Sequence, residues 1–109
     1  AAAPAEEPVY RAGGLEVDLA RRHVRRDDTE ITLTPTEYDL LRLFVRHAGR
    51  VLTHRQILRE VWGQGYLEQS HLVRVTVSNL RRKIEPEPAR PAYLLTEPGV
   101  GYRLREGEG

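Results

Sequence analysis

Apolar and polar positions along this chain change their period twice, and the changes divide it into three parts. Over residues 9–33 the alternation is short. Leu15, Val17 and Leu19 alternate with Glu16 and Asp18, and Ile31 and Leu33 flank Thr32. Gly13-Gly14 and Asp27-Asp28 supply turns. This pattern predicts three or four short antiparallel strands, near 9–12, 15–18, 22–25 and 30–33. At Thr34 the spacing becomes helical. Thr34 stands at an N-cap, Pro35 at the first helical position and Glu37 three residues on, a capping box in sequence form, with Leu33 and Tyr38 at the staple positions. Tyr38, Leu41, Phe44, Val45 and Ala48 follow on one face until Gly49 ends the run. The grammar then repeats. Thr53 caps, Gln56 is at N3, Leu52 and Ile57 are the staple, Ile57, Leu58, Val61 and Trp62 give an apolar face, and Gly63 stops the helix.

The next segment carries two patterns at once. Val73, Val75 and Val77 alternate with Arg74 and Thr76 as in a strand, yet Val73, Val77, Leu80 and Ile84 form one helical stripe. The span 70–86 is long for a strand, so length decides for a helix, with Ser70 as its cap and Glu85-Pro86 as its stop. Residues 88–91 then connect to a β-hairpin, with strands around 93–96 and 102–104 and a tip of Pro98-Gly99-Val100-Gly101. Short strands, three helices and a closing hairpin predict an α+β fold. It is a winged helix-turn-helix with an N-terminal four-stranded antiparallel sheet and a C-terminal wing.

Composition narrows this picture. At 109 residues there is room for one core, expected over 9–105. Residues 1–8 are small, acidic and Pro-punctuated and suit a linker, and 106–109 a flexible tail. The missing initial Met suits a piece of a longer protein. No signal peptide is expected in 1–8, which lack a basic start and an apolar stretch. No apolar run approaches the roughly 18 residues a spanning helix needs. The absence of cysteine excludes disulfides, zinc ribbons and thiol catalysis, and suits a reducing, cytoplasmic setting. Net charge is +1, but four of the acids lie at the two ends (Glu6, Glu7, Glu106, Glu108). Without them the sum becomes +5, and all the bases but Lys83 are arginine. An arginine-rich globule is compatible with a phosphate-binding surface.

The third helix gives that surface a shape. With the Val73–Ile84 stripe in the core, the opposite face presents His71, Val75, Ser78, Asn79 and Arg82, flanked by Leu72, Arg74, Thr76 and Arg81. No acid lies among them. Asn pairs with adenine, Arg with guanine, and an apolar group with the thymine methyl. The expected base readers are therefore His71, Val75, Asn79 and Arg82. Arg74 and Arg81, with Thr76 and Ser78, suit phosphates, which fix register without reading sequence. Val75 on a polar face is odd for an ordinary solvated helix and sensible against a thymine.

These residues carry a resemblance. Leu33-Thr34-Pro35-Thr36-Glu37-Tyr38 with Leu40-Leu41, Arg50-Val51-Leu52-Thr53 with Arg55-Gln56, Val61-Trp62-Gly63, the valines with Leu80-Arg81 and Lys83-Ile84, and Thr96, Gly99, Gly101, Tyr102 and Arg103 together resemble the DNA-binding effector domain of OmpR/PhoB-family two-component response regulators. Within that family, 85–91 and 96–102 look most like the regulators of potassium-transport genes. The resemblance implies that the third helix enters the major groove and that the wing reaches the adjacent minor groove. Thr96, Tyr102 and Arg103 then meet phosphate. The loop 63–69 (Gly63, Gln64, Gly65, Tyr66, Leu67 and Glu68 foremost) touches RNA polymerase. Dimers form on tandem direct repeats of duplex DNA, and a receiver domain of the same protein supplies regulation. This chain departs from many relatives in holding Pro98 where they place a wing-tip arginine, which puts minor-groove insertion in question.

Other chemistry is weakly supported. His23, His47, His54 and His71 share no metal-ligand spacing, and no cofactor is expected. Glu16/Asp18 and Glu37/Asp39 suit solvent or a helix dipole rather than catalysis. Trp62 is expected in the core beneath the turn. No nucleophile and base stand together, so an enzyme is not expected. The competing reading is a winged helix that docks proteins, weakened by the lack of a large apolar anchor on the third helix.

Overall fold

The computed structural model describes residues 9–108; the expected linker, 1–8, lies outside them. Four strands come first: β1 (Val9–Ala12), β2 (Leu15–Asp18), β3 (His23–Arg26) and β4 (Thr29–Ile31). They form one antiparallel sheet in sequence order. β3 and β4 are joined by Asp27 and Asp28 alone, both at positive φ, 51° and 67°. That is the two-residue hairpin geometry whose twist matches its strands. It fixes the register Arg26↔Thr29 and shifts both strands by a residue or more from the expected bounds.

Helix α1 (Pro35–Arg46) begins with the expected capping box. Thr34 Oγ1 accepts from the Glu37 amide and Glu37 Oε1 from the Thr34 amide, at 3.2 and 3.0 Å. Glu37, expected to face solvent or the helix dipole, is in fact buried and also takes a 2.6 Å bond from Lys83 Nζ of the third helix. Helix α2 (His54–Ile57) has a second capping box, from Thr53 and Gln56, and runs on as a π-helical turn over Leu58–Trp62. Gly63, at φ 108°, closes that turn, and a 3₁₀ turn follows over Gln64–Tyr66. Helix α3 (Ser70–Ile84) buries Val73, Val77, Leu80 and Ile84, so the helical stripe prevails over the valine alternation. Its N-cap is Gln69, with no side-chain bond. Ser70, expected to cap, is already helical, and its hydroxyl takes a 3.3 Å bond from Arg74 Nη1.

The C-terminal hairpin, β6 (Leu94–Glu97) and β7 (Gly101–Leu104), is not alone. A three-residue strand, β5 (Val51–Thr53), pairs with β7 and makes a second sheet in the order β5-β7-β6. Thr53 thus ends a strand and caps a helix. Gly101 permits this pairing, because a Cβ there would run into the Leu52 carbonyl. Phe44, Leu40 and Leu41 of α1 join Ile57, Leu58 and the α3 stripe in one core, with Leu15, Val17, Leu52, Leu94 and Leu104 from the two sheets. Trp62 packs half-buried against that core. Residues 106–108, expected as a free tail, are anchored instead. The Glu108 amide donates to Arg11 O at 2.7 Å, and its carboxylate accepts from the Gly13 amide at 2.8 Å. No helix among the described residues is long and apolar enough to cross a membrane.

Candidate nucleic-acid interface

The face of α3 opposite its buried stripe is open. His71, Arg74, Val75, Ser78 and Arg82 are exposed, and Leu72, Thr76, Asn79 and Arg81 are half-buried along its margins. Val75, at 56%, is the most exposed large hydrophobic residue among those described. A single exposed apolar side chain is ordinary on a protein surface; Val75 gains meaning from its neighbours, the hydrogen-bonding side chains Ser78, Asn79 and Arg82 on the same face. Arg82 Nη1 donates to Asn79 Oδ1 at 3.0 Å, which holds the two side chains together on that face. A carbonyl oxygen keeps a second lone pair, and the Asn79 amide keeps its donors, so the pair still offers donors and an acceptor outward.

The wing sits beside this face. A groove runs between α3 and the hairpin, lined by Arg74, Ser78, Arg81 and Arg82 from the helix, Pro88 and Ala89 from the connector, and Tyr102 from β7. The Tyr102 ring is buried, with the His54 ring edge-on at 5.5 Å, and its hydroxyl has no partner among the described residues. The two sides of the groove therefore bring cationic and hydroxyl donors together, the complement of an anionic, acceptor-rich phosphate backbone.

Two expected phosphate contacts are placed differently. Strand alternation puts residues 102 and 103 on opposite faces of the wing sheet. Tyr102 shares the inner face with buried Leu52 and Leu104, so Arg103 points outward, away from α3. There its Nε bonds Glu97 Oε2 at 3.0 Å, which ties the side chain to the neighbouring wing strand. Arg81 is also engaged. Its Nε and Nη2 donate to the Leu94 carbonyl at 3.1 and 2.8 Å, and Nη2 donates to Thr96 Oγ1 at 2.8 Å. Burial pulls the Arg81 pKa below the ordinary arginine value, opposed by the nearby Tyr102 and Glu85.

Glu85 is the residue that sequence reasoning took only for a helix stop. Its carboxylate is buried and accepts from the amides of Ala92, Tyr93 and Leu94, closing the connector onto the end of α3. The available signal was an acid placed directly after Ile84, the last residue of the core stripe, where an unpaired charge is costly. The 63–68 loop stands apart from the groove, after α2. Gln64, Gly65, Tyr66 and Glu68 are exposed, Gly63 and Leu67 half-buried, and Leu67 packs on the core. Among the described residues no group of His, Asp and Glu is placed to hold a metal.

Known proteins share this arrangement. Residues 28–104 match the family described as "Transcriptional regulatory protein, C terminal". KdpE, the KDP operon transcriptional regulatory protein of Escherichia coli K12, is 44% identical over 103 residues, 94% of this chain and 46% of that protein. This chain thus spans less than half the length of that curated relative. The Thermotoga maritima response regulator DrrB, an OmpR/PhoB homolog, superposes with a TM-score of 0.84 at 28% identity, over 92% of this chain and 45% of that one. The DNA-binding domain of CpxR from E. coli superposes with a TM-score of 0.76 at 27% identity, over 94% of this chain and all of that domain (100%).

Proposed function

This chain belongs to the family of OmpR/PhoB-type C-terminal DNA-binding domains of transcriptional regulators, and from that membership we propose how it reads its DNA. Helix α3 lies in the major groove, where Asn79 and Arg82 meet base edges, Val75 a thymine methyl, and His71 a base nearer the helix start. Arg74, Thr76 and Ser78 from the helix, with Tyr102 and Thr96 from the wing, seat the flanking phosphates. The observation that carries this reading is the acid-free exposed face of α3, with Val75 uncovered at its centre, beside a groove of donors. The wing tip, Pro98-Gly99-Val100, offers no cation, so it rests on the minor groove without inserting a charge.

The likeness to KdpE supports a role in controlling potassium-transport genes. The surrounding protein is read as a cytoplasmic response regulator. A receiver domain precedes this one through residues 1–8, and the effector domains pair on tandem direct repeats. The exposed ridge Gln64-Gly65-Tyr66, with Glu68, serves as the polymerase contact. Duplex binding measured against salt tests the DNA reading. Arg74 places its cation against phosphate and Arg82 stands beside it, so counterion release gives a slope of log K on log salt of roughly −1 to −2 per domain. A flat response would remove phosphate from the account and leave the face of α3 to a protein partner.

A further inference from the structure

Leu94, the first residue of β6, is held at both its backbone groups by the C-terminal end of α3, from Arg81 in its last turn and from Glu85, its C-cap. Its carbonyl accepts from Arg81, and its amide donates to Glu85 Oε2 at 2.8 Å. Residues four apart on a helix lie one above the other, so Arg81 and Glu85 form a single pair of jaws. Both have further grips on the wing. Arg81 reaches Thr96 Oγ1, and its guanidinium lies 5.5 Å over the ring of Tyr102, the cross-strand partner of Thr96. Glu85, 1% exposed, also takes the amides of Ala92 and Tyr93. The N-terminal sheet joins the same turn, since Arg26 Nη1 donates to the Glu85 carbonyl at 2.6 Å.

We propose that Arg81 and Glu85 are positioning residues that fix the angle of the wing to α3, and that Arg81 contributes to DNA binding through the wing. The proposal rests on the DNA-binding function proposed for α3 and deepens it. One DNA backbone touching Arg74 and Ser78 on one side of the groove and Tyr102 on the other needs those sides at a set separation. A wing free to swing would have to be ordered on binding, at a cost in affinity. The fork of Arg81 makes the clamp possible, because two of its nitrogens share one carbonyl while one of them also holds a hydroxyl. A lysine ammonium is a point donor and cannot reproduce that. Arg81 is donor-only, so Thr96 Oγ1 acts as acceptor and keeps its own proton to donate outward.

Arg81→Lys separates clamp from charge. Amide hydrogen exchange in the free domain reads the wing directly. The variant should exchange faster over residues 94–104 while the α1 amides keep wild-type protection, and Thr96→Val, which removes one of the three bonds, should loosen the wing less. Affinity for specific and unrelated duplexes should fall alike, by about tenfold for the removal of two or so hydrogen bonds, with the salt slope unchanged. Wild-type affinity and wing exchange in Arg81→Lys would overturn the clamp. So would a salt slope shallower by about 1, the mark of a side chain that had itself neutralised a phosphate. A wild-type domain that bound no duplex would sink the DNA reading alone, since the exchange result stands without DNA.

Discussion

Replacing Glu85 with alanine takes the acceptor from three backbone amides in one step. The amide of Ala92, on an exposed residue, can turn to water. Those of Tyr93 and Leu94 belong to residues 4% and 0% exposed and have no such recourse. An unpaired buried donor costs about 1–3 kcal/mol, so the two together cost roughly 2–6 kcal/mol. Against a total of about 5–15 kcal/mol for a small domain, Glu85→Ala is expected to leave a marginal fold. Urea unfolding followed by far-UV circular dichroism should show the midpoint falling by that free energy divided by m, with m unchanged. Glu85→Gln keeps the shape and one carbonyl oxygen but turns an NH₂ toward an N–H, so it should recover less than half of the loss. A midpoint shift worth less than about 1 kcal/mol in the alanine variant would show that the buried amides find other partners, and the wing root would then not depend on this carboxylate.

Two further outcomes follow from single side chains. The Tyr38 hydroxyl is buried and has no partner among the described residues, so Tyr38→Phe should stabilise the domain by about 1 kcal/mol, read as a higher melting temperature; a lower one would reveal a bond to that hydroxyl. Burial alone would raise the Glu37 carboxyl, but the bonds from Lys83 and Thr34 outweigh it and hold the group below its ordinary value. The unfolded chain therefore takes up that proton first as pH falls. The stability it confers is complete above pH of about 4.3 and drains away below it. Lys83→Met should flatten that acid loss in urea midpoints taken from about pH 6 down to about pH 3, and an unaltered pH profile would exclude the pair as its source.

The helices were legible because their signals are redundant. The stripe Val73, Val77, Leu80 and Ile84 runs over three turns, and each of the first two helices has a capping box as well as a periodic face. Strand β5 was not legible. Three residues carry too little alternation to register, and Thr53 reads locally as a cap, which it also is. The exposed face of α3 could be deduced because it is the complement of the core stripe. Partners distant in sequence could not. That Arg81 is taken by Leu94 and Thr96, and Glu37 by Lys83, depends on how α3 crosses the other elements. Arg103 escaped for a different cause, the two-residue period of a strand. Tyr102 occupies the inner face, so its neighbour cannot.

Sequence readout by α3 is tested most directly by selecting bound sites from a randomised duplex library with the wild-type domain and Asn79→Ala in parallel. Asn79 stands half-buried at the margin of the exposed face, one helical turn after Val75, with Arg82 Nη1 bonded to its Oδ1 at 3.0 Å. It carries no charge, so its loss should leave non-specific binding unchanged. The wild type should recover a defined site, and the variant the same site with one base preference relaxed by about 1–3 kcal/mol, at a position the wild type fills with adenine. Identical sites from both proteins, or no site from the wild type, would contradict base reading by this face of α3.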